Sequence, residues 1–119
     1  MNEDLFEGLH HISLITSSQR TLRLYEIMGF KKTLSIQNAY NKVVIMEGHG
    51  LTLEFLIDRH APKKDRNLDT LGMRCFSLQM SNFKKVFRRI PCGGMFRDWE
   101  GQRYCYIRAL DRQTIEMHE

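Results

Sequence analysis

The sequence predicts an α+β fold built from two copies of a βαβββ unit, and three observations support this. The pattern of strand, helix and further strands starts near Leu9 and starts again near Leu71, after a polar stretch. The closing strands carry matching tetrapeptides, Thr52-Leu53-Glu54-Phe55 and Thr114-Ile115-Glu116-Met117. The opening strands align as His11-Ile12-Ser13-Leu14 against Cys75-Phe76-Ser77-Leu78. The separations, from position 11 to 54 and from 75 to 116, are nearly equal. Each of these four strands also alternates between an apolar and a polar face, as a strand covered on one side must.

Taken in order, Leu9 to Thr16 reads as the first strand. Ser17 and Ser18 then offer caps for a helix whose stripe is Leu22, Leu24, Tyr25 and Met28, with Gly29 as its stop. Phe30 to Gln37, Lys42 to Glu47 and Leu51 to Asp58 are three further strands, the last two joined by Gly48-His49-Gly50. His49 and His60 fall in loops and read as solvated. Positions 59–70 are polar, contain Pro62 and read as a linker. Leu71 to Met80 then reads as a strand, and Ser81 as the cap of a short helix ended by Pro91-Cys92-Gly93-Gly94. Strands at Met95 to Arg97, Tyr104 to Arg108 and Thr114 to His118 complete the second copy. The modules are thus about 9–58 and 71–119, together one domain over 1–119.

Composition excludes several classes. The chain has 119 residues, 42% of them hydrophobic and 27% charged, with two prolines and eight glycines, which rules out disordered, collagen-like and low-complexity chains. A net charge of +4 suits an anionic ligand and is too dilute to predict nucleic acid. Three cysteines, an odd number without metal-finger spacing, argue against a disulfide framework and for a reducing compartment. No apolar signal core opens the sequence and no run approaches the roughly 18 apolar residues of a membrane span, so a cytoplasmic protein off the membrane is expected.

Opposite the apolar faces stand His11 and Ser13, Thr52 and Glu54, Cys75 and Ser77, and Thr114, Glu116 and His118. Two carboxylates gathered on one face repel unless one is protonated or a cation lies between them. A divalent metal held by carboxylate oxygen and imidazole nitrogen resolves that conflict and polarises a substrate oxygen. Tyr104, Tyr106 and Arg108 share a strand face, where Arg108 is suited to an anionic substrate group. With Ser13, Ser77 and His118 they form the expected substrate pocket. Lys84, Lys85, Arg88 and Arg89 read as the solvated side of an amphipathic helix.

From about Leu9 to Glu119 the chain resembles the vicinal oxygen chelate superfamily, the glyoxalase/bleomycin resistance/dioxygenase proteins. The resemblance rests on LHHISLIT in the first strand, LYEIMGFKK at the helix end, and LTLEF and QTIEMHE closing the halves. It implies paired βαβββ modules forming a curved mixed sheet, an open cup around a divalent metal. The ligand positions carry over to His11, Glu54, Cys75 and Glu116, with Glu54 and Glu116 as the proton-moving residues. Cys75 stands where histidine or glutamine is usual, and a thiolate among the ligands makes zinc the best match, with nickel, manganese and iron as alternatives.

The implied function is a glyoxalase-like, metal-dependent lyase or isomerase acting on a small oxygen-chelating molecule. One alternative is a metal-free small-molecule binding or resistance protein of the same fold. The other is a ferredoxin-like regulatory or RNA-binding domain with two fewer strands. One-sided sheets with open edges also predict pairing, within the chain or as a homodimer.

Overall fold

A computed structural model of the protein describes residues 5–39, 41–64, 71–90 and 92–119. The chain divides into two compact units, Met1–Pro62 and Lys63–Glu119, each built on a four-stranded mixed sheet.

The first unit runs β1 (Ile12–Thr16), a 3-10 turn (Gln19–Thr21), α1 (Leu22–Ile27), β2 (Lys31–Gln37), β3 (Lys42–Gly48) and β4 (Leu51–Ile57). Its sheet is ordered β1-β4-β3-β2, with β1 parallel to β4 and the other pairs antiparallel. Ser18 starts the helical segment by accepting the Arg20 backbone N–H at 3.1 Å, so the first turn is 3-10 and α1 follows it. Gly29 ends it at φ +100°, a conformation that a side chain strains.

α1 presses Leu22 and Tyr25, both fully buried, onto the sheet. There the Tyr25 ring meets Phe55 edge-on at 4.8 Å and Phe30 at 6.1 Å. The buried Thr16 and Thr21 hydroxyls satisfy each other at 2.6 Å. β2 forms one edge, exposed along its whole length and bulged between Lys32 and Leu34. Lysines and a bulge are both devices that discourage further strand pairing.

The second unit repeats the plan as β5 (Phe76–Gln79), α2 (Phe83–Arg89), β6 (Phe96–Arg97), β7 (Arg103–Arg108), a 3-10 turn (Leu110–Arg112) and β8 (Thr114–His118). The order β5-β8-β7-β6, with β5 parallel to β8, matches the first sheet strand for strand. Its core is smaller: Met80, Cys105, Ile107, Ile115 and Met117. α2 buries no residue completely. Its Phe83 and Phe87 rings lie 4.7 Å apart, with the Arg103 guanidinium 4.1 Å above Phe83.

The expected pair of βαβββ units is therefore present, with boundaries adjusted. The strand expected over 71–80 is only Phe76–Gln79, because β8 offers β5 partners only from Ile115 to His118. Ahead of it Gly72 takes φ +114° and Leu71 is fully exposed. The cap of α2 is Asn82, not Ser81: its side chain accepts the Lys85 N–H at 3.1 Å. His49 lies exposed in the β3–β4 turn, as expected, and is anchored there as well. Its Nε2 bonds the Met28 carbonyl at 2.6 Å and its ring meets Phe30 edge-on, tying the β3–β4 turn to the end of α1. Within the expected linker, residues 65–70 lie outside the described residues. Eight strands in two sheets exclude the ferredoxin-like alternative. Among the described residues no helix is long and apolar enough to cross a membrane.

Candidate functional site

Both glutamates occupy the same place in their sheets. In the first, the parallel register sets Ser13 opposite Glu54; in the second it sets Ser77 opposite Glu116. His11 and Cys75 each stand one residue before the opening strand, two residues ahead of these serines. The paired tetrapeptides thus superpose in register as well as in sequence.

In the first unit the group is closely tied. Ser13 Oγ donates to Glu54 Oε1 at 3.0 Å, and His11 Nε2 stands 3.9 Å from Glu54 Oε2. His10 and His11 share a hydrogen bond between their Nδ1 atoms at 2.8 Å, one donating and one accepting. His11 and Glu54 remain partly open to solvent, with side chains 36% and 29% exposed.

The second unit carries a richer face. Glu116 lies between Ser77 on β5 and Tyr106 on β7. Burial first, and the Glu116 charge second, push the Cys75 thiol above its ordinary pKa, although Arg74, Lys64 and the Glu116 backbone N–H work against them. Burial also raises the Tyr106 phenol, with Glu116 adding to it, while Arg74 donates a hydrogen bond to the phenol oxygen. Phe96 and Tyr104 stack at 5.6 Å, Tyr104 and His118 at 6.0 Å, and Tyr106 stands nearly perpendicular to Tyr104.

His118 is committed to neighbours. Nε2 donates to Asp98 Oδ2 at 2.8 Å and Nδ1 to the Glu119 backbone oxygen at 3.0 Å. Both partners are acceptors, which favours the charged ring: the Glu119 oxygen first, then Asp98, lifts its pKa. Burial acts to raise the Asp98 carboxyl, but hydrogen bonds from the Gln102 and Glu100 backbone N–H groups and from His118 hold it below its usual range.

A cleft of about 410 Å³ opens just ahead of β6, whose two residues leave β7 unpaired on that side from Tyr106 onward. Cys92, Gly93, Gly94, Phe96, Tyr106 and Arg108 line it. Of the residues expected in a pocket, Tyr106 and Arg108 border this cleft, and Tyr104 and His118 continue the same sheet face. Ser77 is on that face beside Glu116, and Ser13 is engaged with Glu54 in the first sheet. Among the described residues no group of three or more His, Cys, Asp or Glu side chains is placed to hold a metal ion; the expected ligands supply one pair in each sheet.

Asp98, Arg74 and Phe96 escaped sequence reading. Asp98 had a signal: an aspartate three residues before Gly101 marks the β6–β7 turn, where it accepts the N–H groups of Glu100 and Gln102 at 2.9 Å each.

This arrangement of strands and helices is the vicinal oxygen chelate fold that the sequence resembles, and solved structures bear out the likeness. A glyoxalase family protein from Enterococcus faecalis superposes with a TM-score of 0.86 at 17% identity, over 98% of this chain and 100% of that one. The fosfomycin resistance protein FosX from Listeria monocytogenes gives 0.77 at 16%, over 96% and 94%. Lactoylglutathione lyase from Agrobacterium tumefaciens gives 0.65 at 14%, over 98% and 96%. An E126Q mutant of the Listeria FosX was crystallised with Mn(II) and 1S,2S-dihydroxypropylphosphonic acid. No family model matches the sequence, and no curated protein does.

Proposed function

We propose that the protein is a glyoxalase-like lyase or isomerase that uses a divalent metal to act on a small, anionic, oxygen-chelating substrate. The observation that carries this reading is the repeated register: a serine beside a glutamate in each parallel pair, with His11 or Cys75 two residues upstream. His11, Glu54 and Glu116 are donors suited to zinc, nickel, manganese or iron. Cys75 fits least, because burial and the Glu116 charge raise its thiol pKa, and zinc is the ion that best tolerates a sulfur ligand. When bound, such a metal supplies Lewis-acid polarisation of a substrate oxygen.

The chain's own residues supply the rest. Ser13 fixes one Glu54 oxygen and leaves the other toward His11. Glu54 and Glu116 are the groups to take and return a proton. Tyr106 accepts from Arg74 and so has its own proton to offer a substrate oxygen. Arg108, at the cleft, receives the anionic group. The Mn(II) complex of FosX and the likeness to a lyase both support this reading. We take the protein to be cytoplasmic and homodimeric, without nucleic acid or membrane partners.

Metal analysis of protein purified without chelator decides the matter. Near-stoichiometric metal that falls in Glu116→Gln is expected. Less than about a tenth of an equivalent, with no rise in Tm on adding Zn, Ni, Mn or Fe, overturns it. The raised Cys75 thiol pKa favours a second reading, a metal-free small-molecule binding or resistance protein. In that case Glu116→Gln leaves ligand affinity intact.

A further inference from the structure

Beside the cleft, β7 presents backbone groups that the sheet does not use. In an antiparallel sheet each residue turns its N–H and C=O toward one neighbouring strand, and successive residues alternate sides. The Glu119 N–H donates to the Arg103 carbonyl at 2.8 Å, and the Ala109 N–H to the Gln113 carbonyl at 2.8 Å. Odd-numbered residues of β7 therefore face β8, and Tyr104, Tyr106 and Arg108 face the β6 side. Phe96 meets Tyr104 there, but β6 begins only at Phe96. Among the described residues no backbone group pairs with Tyr106 or Arg108 on that side. Continued backward, β6 would set Gly94 opposite Tyr106; instead residues 92–94 turn aside and form the far wall of the cleft. Two donors and two acceptors thus line one wall of a space of about 410 Å³.

We propose that this edge binds an extended, acidic peptide segment of a partner protein, added as a strand antiparallel to β7 where β6 is missing. The neighbouring side chains select its sequence. Peptide residues opposite Tyr106 and Arg108 share their face of the sheet. There a carboxylate meets the exposed Arg108 guanidinium. An aromatic residue lies beside Phe96 and Tyr106, whose ring centroids are 6.2 Å apart. The residue between them turns to the opposite face with Ile107, which is buried, and so is apolar. Antiparallel order makes the motif acidic, apolar, aromatic, read from its N-terminus. Charge favours such a chain, since residues 63–119 carry twelve Lys and Arg against seven Asp and Glu. Gly93 and Gly94 leave the far wall open to a second backbone: a Cβ at Gly93 would meet nothing within 4 Å. The β2 edge of the first sheet offers no such place, being bulged and opened by two lysines.

The proposal uses the β7 backbone and rests on neither metal nor catalysis, so it stands or falls apart from the function above. The probe is the peptide acetyl-Thr-Glu-Val-Tyr-amide, titrated into the isotope-labelled full chain without added metal and followed by amide NMR. Shifts centred on Tyr106 to Arg108 are expected, with slower exchange of the Tyr106 and Arg108 amide protons. The same peptide N-methylated at its tyrosine lacks the donor to the Tyr106 carbonyl and should bind at least about fivefold more weakly. Replacing the peptide glutamate by glutamine, or Arg108→Gln in the protein, should weaken binding about two- to fivefold. The two losses should not add, because they remove one contact. No shift at millimolar peptide, shifts centred on another element, undiminished binding of the N-methylated peptide, or indifference to both charge removals overturns the proposal.

Discussion

At corresponding positions the two sheets part company. On the face that bears Glu54, the first sheet carries Ile45 beside the glutamate, then Val43, Leu56, Ile15, Leu34 and Ile36. On the face that bears Glu116, the second carries Tyr106 beside the glutamate, then Tyr104, Arg108, His118 and Phe96. Their covered faces differ in the opposite sense. The first packs an aromatic cluster of Tyr25, Phe30 and Phe55 under a helix with two fully buried residues, while α2 over the second has none. Charge follows the same division: residues 63–119 hold twelve of the 18 Lys and Arg but only seven of the 14 Asp and Glu. One chain plan thus supports a well-packed half with an aliphatic open face and a lighter half that concentrates polar and aromatic groups. Cores and sites draw on the same residues, and dividing them between the copies lets each be met more fully.

The largest test of this contrast is in the cores. Phe55→Ala should lower unfolding free energy by about 3–5 kcal/mol in urea denaturation, since the hole lies under Tyr25. Phe87→Ala, on the half-buried face of α2, should cost less than about half of that. Equal losses would erase the distinction. The glutamates probe the opposite expectation, likeness: Glu54→Gln and Glu116→Gln should each weaken metal affinity at least about tenfold, because both hold the same register position. A loss confined to one of them would make the sheets unequal here too.

A smaller effect, about 1 kcal/mol, is expected for His49→Ala, which removes the bond to the Met28 carbonyl from the first unit alone. The smallest is electrostatic. Arg103, bonded to both Glu119 carboxylate oxygens, holds that carboxyl at about 2, against an ordinary 4.5. Its folded pKa lies below the unfolded one, so the pair's stabilisation is complete above about 4.5 and is lost as pH falls toward 2. The gap in Tm between wild type and Glu119→Gln should shrink over that interval.

Much of this was legible from alternation and repetition. Glu54 and Glu116 share the faces of Ser13 and Ser77, as strand periodicity assigns without knowledge of neighbours. β2 was harder: Leu34 and Ile36 are apolar, yet they are 52% and 47% exposed because they lie on the open face of an edge strand. Leu71 and Met73 misled in the same way, since an apolar residue forms a strand only where a partner strand reaches it. Arg74 was invisible because its role arises from a phenol far off in sequence, and the turn that marks Asp98 says nothing of its bond to His118. His49 reads as a solvated loop residue and is exposed, but its bond to the helix end has no mark in the sequence.

The parallel pairing of first and last strands also bears on how each unit assembles. β2, β3 and β4 are sequence neighbours, joined by short turns, and can zip together through local contacts. β1 must wait for β4, more than thirty residues later, and β5 for β8 in the same way. The strands next to His11 and Cys75 therefore carry the larger loop-closure cost. β5, with four paired residues against five in β1, is the looser of the two. Half of the candidate ligand set thus stands beside the strands that close the longest loops, and amide protons in β5 should exchange before those of β3 or β7.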